Sequence, residues 1–475
     1  AKAAARQENL EGWLFTLHFP SYLPFMKYAK NRELRKKMFS AYSSRGNAAN
    51  AHNNKGTVAR IVALRLEKAK LLGFATHAGY VLEERMAQSV SKVDTFLNEL
   101  LDASLPFAQR DVEEVAQLAH AKGLEGPIER WDFAFYSELL KSEKYSVDDE
   151  LSKPYFKLEN VETGVFGLAN RLFGLTFVPA PHISVYHPDV KAFEVYDADG
   201  SFLSVLYIDY FPRPSKQNGA WMTSFREQYV ENGKDVRPIV SLAMNFTAPT
   251  DTTPSLLTFN EVRTFLHEFG HALHGMLSRV RYLSQSGTNV YRDFVELPSQ
   301  WLENWATDKE WLRQTAIHYQ TGRPIPDGLI DKLVASDNFQ SGYATVRQLG
   351  FGLLDMAYHT WQEPIHTDIL AFEQQAMAPT ELFPPVEGTC TSTAFGHIFN
   401  GGYAAGYYGY KWAEVLDADA FELFKQTGTY NRDTASRFRR HILEKGGSAH
   451  PMDLYLAFRG QEPSVEPLLT RCGLK

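Results

Sequence analysis

The sequence predicts a mainly α-helical protein with one small β-sheet. Residues 57–72 carry apolar side chains at helical spacing, and Gly73, a residue that often ends helices, follows them. Two β-rich runs at residues 191–197 and 201–210 flank an Asp-Gly pair, which is typical of a tight hairpin. These patterns predict a short antiparallel sheet within a chain that is otherwise helical.

The other elements can be assigned in chain order. Residues 43–56 are rich in Asn, Ser and Gly, which predicts a loop, and residues 80–87 and 92–101 have helical periodicity. Residues 238–246 are another short strand candidate. After Pro298 the chain is again mainly helical, without internal repeats or low-complexity tracts.

The composition is that of a large globular protein. The chain has 475 residues, of which 44% are hydrophobic and 22% charged. A chain of this length is expected to divide into substructures, and we assign a helical region to residues 1–150 and a second region to residues 151–475. The net charge of −7 argues against a nucleic-acid partner, which usually requires a basic surface.

Features that the sequence lacks indicate where the protein is located. No apolar run approaches the roughly 18–20 residues of a membrane span, and no basic segment followed by an apolar stretch marks a secretory signal at the N-terminus. Cys390 and Cys472 are too few for a disulfide framework, which favours a reducing compartment. We therefore predict a cytoplasmic protein that does not bind membranes.

A short motif in the second region carries metal-binding chemistry. In a helix, His267 and His271 lie one turn apart on the same face. Two imidazoles at this spacing can bind one tetrahedral zinc ion, and Glu268 projects nearby as a possible proton acceptor. The alternative is a core helix that carries histidines for packing.

The residues around this motif predict that it is helical. Thr258 and Glu261 form the pattern of a capping box, and an apolar stripe follows at helical spacing. Gly270 and Gly275 weaken the helix by about 1 kcal/mol each relative to alanine, so something other than propensity must stabilise it. His274 lies about 10 Å along the axis from His267, too far to share one ion, and we interpret it as structural.

A catalytic zinc site needs a third protein ligand and an open coordination position. Glu296 is one candidate, in an apolar setting just before a predicted helix in which Pro298 suits the first turn. Glu303 is a competitor on the same helix, seven residues further on and about two turns deeper.

The two motifs together resemble a known enzyme family. His-Glu-Phe-Gly-His-Ala-Leu-His-Gly at residues 267–275, followed by Gly-Thr-Asn-Val-Tyr-Arg-Asp-Phe-Val-Glu-Leu-Pro-Ser-Gln at residues 287–300, is similar to the thimet-oligopeptidase family of zinc metallopeptidases. That family includes oligopeptidases and peptidyl-dipeptidases. The resemblance implies a zincin-like fold, with a small sheet beside the active-site helix and helices walling a deep channel. It also implies that His267, His271 and Glu296 bind one zinc ion, and that Glu268 is the general base.

A third segment, residues 395–412, resembles the family's Gly- and Tyr-rich substrate loop. Five glycines alternate with four tyrosines, which indicates a flexible backbone carrying hydroxyl donors. Without the resemblance, an aromatic-packed structural loop would be the alternative. The resemblance implies transition-state contacts from His397, Tyr403 and Tyr410, and substrate contacts from Tyr407, Gly401 and Gly402.

The resemblance covers nearly the whole chain, including residues 12–17, 31–35 and 131–134. One departure is that family members usually carry further helices before the equivalent of Ala1. We expect this chain to lack these N-terminal helices, which help to wall the channel in the family.

The expected reaction is hydrolysis of peptide bonds in short unstructured oligopeptides by a monomeric enzyme. The block at residues 287–300 slightly favours a peptidyl-dipeptidase that releases dipeptides from C-termini, and an endo-oligopeptidase is the alternative. Residues 239–245 are proposed as an edge strand that binds extended substrate, with a plain core strand as the alternative. A peptide-binding protein with structural zinc is a less favoured interpretation, because Glu268 is present and no fourth ligand is found.

Overall fold

We describe a computed structural model of the chain over residues 2–7, 9–17, 19–145, 149–213, 215–217, 219–364 and 367–475. The mainly α-helical fold class with a small sheet is confirmed. The first helices are α1 (Lys2–Gln7), α2 (Phe19–Tyr28), α3 (Arg32–Ser43), α4 (Lys55–Leu71), α5 (His77–Leu82), α6 (Val90–Ala121), α7 (Arg130–Tyr145), α8 (Asp149–Ser152), α9 (Leu158–Phe173) and α10 (Phe259–Leu277). The later helices are α11 (Leu297–Glu303), α12 (Lys309–Thr315), α13 (Asp327–Asp337), α14 (Ser341–Thr360), α15 (Ile369–Met377), α16 (Gly396–Phe399), α17 (Gly409–Thr427), α18 (Arg432–Phe438), α19 (Pro451–Arg459) and α20 (Glu466–Arg471). The strands are β1 (Thr176–Pro179), β2 (Val190–Tyr196), β3 (Phe202–Asp209), β4 (Trp221–Arg226), β5 (Tyr229–Glu231), β6 (Lys234–Val236) and β7 (Ile239–Ala243).

The helix predictions near the N-terminus were partly wrong. The helix expected at residues 80–87 is α5, which starts earlier because the Thr76 side chain caps it by accepting from the Gly79 N–H, and which ends at Leu82. The helix expected at residues 92–101 is only the first part of α6. The apolar periodicity of α6 continues through Pro106, so this proline lies inside the helix rather than ending it.

The chain forms two compact units, and each is discontinuous in sequence. The first unit contains residues 1–146, 338–408 and 472–475. The second contains residues 147–337 and 409–471. Residues 338–408, which the sequence prediction grouped with the second region, therefore pack with the N-terminal helices.

The first unit is an assembly of helices in which α14 packs closely along α6. A Cβ placed on Gly342 would lie 2.6 Å from the Ala108 backbone nitrogen, so only glycine permits this approach. Between α3 and α7, the buried Asp132 carboxylate accepts from the guanidinium groups of Arg32 and Arg35, at 2.7 and 2.9 Å. These contacts bring helices that are distant in sequence into one core.

The second unit is built on a five-stranded sheet with the strand order β1-β2-β3-β7-β4. The predicted hairpin is confirmed, since β2 and β3 pair antiparallel across a turn in which Gly200 has a φ of 81°. Strand β7 pairs parallel with β3 and antiparallel with β4. The edge-strand prediction for residues 239–245 was therefore wrong, because β7 is paired on both sides and β4 forms this end of the sheet.

Helix α10 lies between this sheet and α11, and its glycines allow both contacts. A Cβ on Gly270 would lie 2.4 Å from the Pro298 carbonyl oxygen, and one on Gly275 would lie 2.6 Å from Met222 Cε on β4. Backbone meets backbone at Gly270, so neither side can move without shifting a helix. The packing that these glycines permit offsets their low helix propensity.

We expect Gly270→Ala to destabilise the protein although it raises helix propensity. The propensity gain is about 1 kcal/mol, whereas overpacking against fixed backbone typically costs about 1–3 kcal/mol. Denaturant unfolding would measure the change. Gly167→Ala in α9 is the matched control, since a Cβ there meets nothing within 4 Å, and it should be neutral or stabilising. Equal effects of the two substitutions would contradict the packing argument.

Candidate active site

The helix that carries the histidine motif begins with the predicted capping box. The Thr258 N–H donates to Glu261 Oε2 at 2.7 Å, and the Glu261 N–H donates to Thr258 Oγ1 at 3.1 Å. The predicted apolar stripe of α10 is buried against the rest of the second unit. This packing fixes the rotation of α10, so that its histidine face is turned to α11.

The three predicted metal ligands come together at this face. Glu296 Oε2 lies 3.3 Å from His267 Nε2 and 3.1 Å from His271 Nε2. The candidate ligand atoms of the three residues all lie within 4.8 Å of one another. Two imidazole nitrogens and one carboxylate oxygen at such distances form a donor set that can bind one metal ion.

Glu303, the competitor for the third ligand, has a different place. Its Oε1 lies 2.6 Å from Nδ1 of His267, the ring nitrogen that faces away from Glu296. A proton on Nδ1 that donates to Glu303 leaves the lone pair of Nε2 free for a metal. The seven-residue offset from Glu296 puts both carboxylates on one side of α11, which is the sequence signal for this role.

Ser299 is a site residue that sequence reasoning missed. Its Oγ lies 3.0 Å from Glu296 Oε2 and is fully buried. Glu296 itself precedes α11, and Ser299 is one turn further along the chain. The Ser299 hydroxyl therefore restrains the Glu296 carboxylate from the first turn of α11. In the sequence, the spacing of three residues between Glu296 and Ser299 is the signal for this contact.

Glu268 lies beside the donor set and keeps one oxygen unpaired. Its side chain is buried, and Oε2 has no hydrogen-bond partner among the described residues. Burial raises the pKa of Glu268 above its ordinary value, while His267 and His271 act in the opposite direction. A buried carboxylate with a free oxygen can accept a proton and hold it.

His274 lies outside the donor set, as expected from its position on the helix. It is completely buried, and neither ring nitrogen has a hydrogen-bond partner among the described residues. Burial lowers its pKa to about 3, so the ring is neutral. The structure gives it a packing environment, consistent with the structural interpretation.

The predicted substrate loop runs from one unit into the other. Tyr410 belongs to the second unit, where it is the second residue of α17, and its carbonyl accepts from Gln300 Nε2 at 3.4 Å. The preceding Gly409 lies against the Asp293 backbone, where a Cβ would be 3.2 Å from the Asp293 Cα. The backbone of Tyr410 is therefore packed beside the segment that carries Glu296.

The other predicted loop residues belong to the first unit and cluster there. The ring of His397 lies 6.1 Å from that of Tyr403 and 5.7 Å from that of Tyr407, between centroids. The Tyr407 hydroxyl donates to Gln348 Oε1 at 2.8 Å, and burial raises its pKa to about 12. His397 is exposed, so its ring can meet a ligand.

The glycines of the loop allow its turn. A Cβ on Gly401 would lie 3.0 Å from the His397 Cα and carbonyl oxygen, and Gly402 has a φ of 82°, in the left-handed region. Both positions therefore suit glycine for steric reasons. These observations explain the turn and do not test the predicted substrate contacts of the two residues.

One buried carboxylate holds the loop in its conformation. Asp355, on α14, accepts the N–H groups of Ala405, Gly406 and Tyr407 at 2.9, 2.8 and 2.9 Å. Ala405 has a φ of 50°, a left-handed conformation that costs an alanine about 1–2 kcal/mol. Three charge-assisted hydrogen bonds to consecutive residues offset this strain.

The same carboxylate is linked to the start of the loop through α14 and α4. Asp355 Oδ1 lies 2.8 Å from His359 Nδ1, and His359 Nε2 lies 3.1 Å from Arg65 Nη1. Arg65 Nη2 donates to the Phe399 carbonyl at 3.3 Å. Sequence reasoning missed this chain of contacts, because Arg65 and Asp355 lie far from the loop in sequence.

The fold, the donor set suited to a metal ion and the buried glutamate beside that donor set together define a metallopeptidase. The family model of Peptidase family M3 matches residues 25–474, and the chain belongs to this family. It is 40% identical to "Oligopeptidase A" of Escherichia coli over all of this chain and 71% of the relative. It is 39% identical to "Dipeptidyl carboxypeptidase" of Salmonella typhimurium over all of this chain and 70% of that relative.

One further relative and two solved structures are also similar to this chain. "Probable cytosolic oligopeptidase A" of Arabidopsis thaliana is 41% identical, over 97% of this chain and 68% of its own length. The structure of "PZ peptidase A with inhibitor 2" is similar in fold, with a TM-score of 0.56, 16% identity and coverage of 98% of this chain and 71% of that one. An M32 carboxypeptidase from Deinococcus radiodurans has a TM-score of 0.51 at 14% identity, over 96% of this chain and 81% of that one.

Within the described residues, none of the helices is long and apolar enough to cross a bilayer.

Asp355→Asn should disorder the loop without removing the metal ligands. The asparagine amide would point its own N–H group at a loop N–H group, so that at least one hydrogen bond is lost. A displacement of about 1 Å in a catalytic group can lower the rate about a hundredfold. Steady-state hydrolysis, metal content and hydrogen exchange at residues 405–407 would measure this. We expect a fall in kcat, faster exchange in the loop and unchanged metal content.

The matched control is Glu373→Gln in the same unit. Glu373 is another buried carboxylate, and it accepts the N–H groups of Thr391 and Ser392 at 2.8 and 2.7 Å. Its amide variant should slow hydrolysis less and leave exchange at residues 405–407 unchanged. If both variants lower kcat equally, the effect of Asp355 is a general one on stability.

Proposed function

We propose that this metallopeptidase hydrolyses unstructured oligopeptides with one zinc ion bound by His267, His271 and Glu296. The observation that carries the proposal is the approach of both histidine Nε2 atoms to one oxygen of Glu296, within 3.3 Å. Two imidazoles and one carboxylate are a catalytic donor set for zinc and leave a coordination position open. The names of the oligopeptidase relatives support the substrate class.

The surroundings of these ligands fit zinc as well. Glu303 accepts from His267 Nδ1, and Ser299 contacts Glu296 Oε2, so two of the three ligands have a partner that orients them. Such partners typically contribute about 10- to 100-fold to metal affinity. The unpaired Oε2 of Glu268 supplies the proton acceptor that a hydrolytic site also needs.

The proposed mechanism assigns proton transfer to Glu268. A zinc ion held by His267, His271 and Glu296 would polarise the scissile carbonyl and make water more acidic. Glu268 accepts the proton of the attacking water at its free Oε2 and later donates it to the leaving amine. Burial raises the pKa of Glu268, which favours the protonated form that this role requires. Roles for His397, Tyr403 and Tyr410 as donors to the developing oxyanion, and for Tyr407, Gly401 and Gly402 in substrate binding, stay predictions.

We propose strand β4 as the element that binds extended substrate. It is the last strand of the sheet at this end, and Met222 on β4 lies against Gly275 of the metal-binding helix. A peptide added to β4 would run alongside α10, with its backbone hydrogen-bonded as in strand addition. This replaces the role that the sequence suggested for residues 239–245.

For the cleavage mode, we propose release of dipeptides from the C-terminus, with endopeptidase cleavage as the alternative. Relatives with both names match at similar identity, 40% for an oligopeptidase A and 39% for a dipeptidyl carboxypeptidase. A cytoplasmic location and a monomeric state also stay predictions. The name of one Arabidopsis relative supports the first, although another is named "Organellar oligopeptidase A, chloroplastic/mitochondrial".

Glu268→Gln should keep zinc and lose turnover. Removal of a general base typically lowers the rate about 10²- to 10⁴-fold, and the amide cannot accept the proton. Metal analysis after dialysis and hydrolysis of a quenched fluorescent peptide, with and without chelator, would test this. Glu303→Gln is the control, and it should weaken zinc binding while restored zinc returns most of the activity. Near-wild-type hydrolysis by Glu268→Gln would eliminate it as the base.

The cleavage mode can be read from products. A decapeptide with a free C-terminus and the same peptide amidated would be digested, and the fragments identified by mass spectrometry. Sequential loss of dipeptides from the free acid, with little cleavage of the amide, is expected. Cleavage of both peptides at the same internal bond would show the endopeptidase mode instead.

A further inference from the structure

A second feature, within the first unit, is a cavity of about 480 Å³. Its wall is formed by side chains of α2, α3, α7 and α14 and of the segment before the substrate loop. His397 and Tyr407, two residues with predicted roles toward substrate, lie on this wall. The cavity is therefore continuous with the first unit's part of the predicted substrate surface.

The cavity is cationic. Arg45, Arg130 and Arg347 line it, against one acidic residue, Glu381. Arg130 already has protein partners, because it pairs with Glu381 and donates to the Phe383 carbonyl. In the part of the chain that the structure describes, no carboxylate lies within salt-bridge distance of Arg45 or Arg347, and both are exposed.

The two guanidinium groups without carboxylate partners act on the same part of the cavity. Burial raises the pKa of Tyr22 to about 12, and both Arg347 and Arg45 oppose this increase. Tyr22 stacks on Tyr42 with centroids 4.0 Å apart, and Arg45 lies 3.8 Å from the Tyr42 ring centroid. Arg45 therefore lies on the aromatic pair that contains Tyr22, and Arg347 lines the same cavity.

Arg347 also faces the substrate loop. Burial raises the pKa of Tyr407 to about 12, and Arg347 is the first of the charges that oppose it. The Arg347 guanidinium lies 5.8 Å from the centroid of Phe351, whose ring is 5.7 Å from that of Tyr407. Arg347 thus lies beside the Phe351 ring, which neighbours the Tyr407 ring, and it lines the same cavity as Tyr22.

The remaining wall is aromatic and suits one kind of ligand. Phe39, Phe133, Phe351 and Phe395 supply apolar faces around the arginines. Guanidinium groups bind carboxylates with two parallel hydrogen bonds, while aromatic rings pack against an apolar side chain. The C-terminal residue of a peptide carries its carboxylate and its side chain on the same carbon. A peptide with an apolar C-terminal residue therefore suits this wall. The volume lies within the range of small-ligand pockets, about 300–1,000 Å³.

We propose that Arg347, together with Arg45, binds the C-terminal carboxylate of peptide substrates in this cavity. The proposal rests on the peptidase function given above and deepens it, since it names the part of the substrate that is recognised. It assigns the preference for a free C-terminus to a specific side chain. Arg347 is a specificity residue here and takes no part in the hydrolytic step.

Kinetics on matched peptides would test this directly. The wild-type chain, Arg347→Gln and Arg347→Lys would each be given one peptide as the free acid and as the amide. A charge-assisted pair is worth about ten- to hundredfold in kcat/KM, so we expect the wild type to prefer the free acid by that factor. Arg347→Gln should lose the preference while still cleaving the amide, and Arg347→Lys should keep part of it.

The control variant is Arg110→Gln on α6. Arg110 is also exposed and lies 4.2 Å from the centroid of a phenylalanine ring, that of Phe107, but it does not line the cavity. Arg110→Gln should leave the preference for the free acid unchanged.

An amidated peptide that ends in glutamate is the third substrate, and it should be cleaved no better than the plain amide. Full recovery with this peptide would mean that the cavity recognises any carboxylate, which would overturn the proposal.

A binding measurement separates this proposal from the peptidase function. In the Glu268→Gln background, calorimetry with the free-acid and amidated peptides gives dissociation constants without hydrolysis. Tighter binding of the free acid that is lost with Arg347→Gln supports the proposal even if turnover is absent. Equal binding of both peptides, or an equal loss for both with Arg347→Gln, overturns it. Failure of the peptidase function would appear instead as an absence of chelator-sensitive hydrolysis in the wild type.

Discussion

The candidate metal site depends on one close approach between two backbones, that of α10 at Gly270 and that of the chain at Pro298. Glu296 lies only two residues before Pro298, so this approach sets the distance from its carboxylate to the histidines. At 3.1 and 3.3 Å from the two Nε2 atoms, the carboxylate completes a donor set that α10 alone cannot form. A side chain at residue 270 would separate the two helices, and the ligands with them.

Around this contact, polar groups orient the ligands rather than adding to the core. Glu303 fixes the His267 ring through Nδ1, and Ser299 restrains Glu296. Glu268 differs from them, because its buried Oε2 has no partner among the described residues. The site therefore combines groups whose partners set their geometry with a buried carboxylate oxygen that has no partner among the described residues. An unpaired buried carboxylate oxygen is costly, which supports the proposed role of Glu268 in proton transfer.

A buried carboxylate is also important in the first unit, but there it stabilises the backbone. There a buried carboxylate, Asp355, accepts three consecutive backbone N–H groups and holds Ala405 in a left-handed conformation. In contrast, the nearby cavity keeps Arg347 and Arg45 without carboxylate partners among the described residues. Asp355 is thus paired and buried, whereas the two arginines proposed to meet a ligand are exposed.

The sequence by itself determined the features that local geometry controls. The capping box at Thr258, the one-turn spacing of His267 and His271, and the Asp-Gly hairpin each follow from a few consecutive residues, because helix and turn geometry is set within that span. Only the tertiary structure decided the long-range choices. Glu303 turns to His267 Nδ1 while Glu296 faces both Nε2 atoms, β4 rather than β7 ends the sheet, and Asp355 reaches a loop 50 residues away along the chain. Such choices depend on which elements pack together, and residue spacing carries no information about that packing.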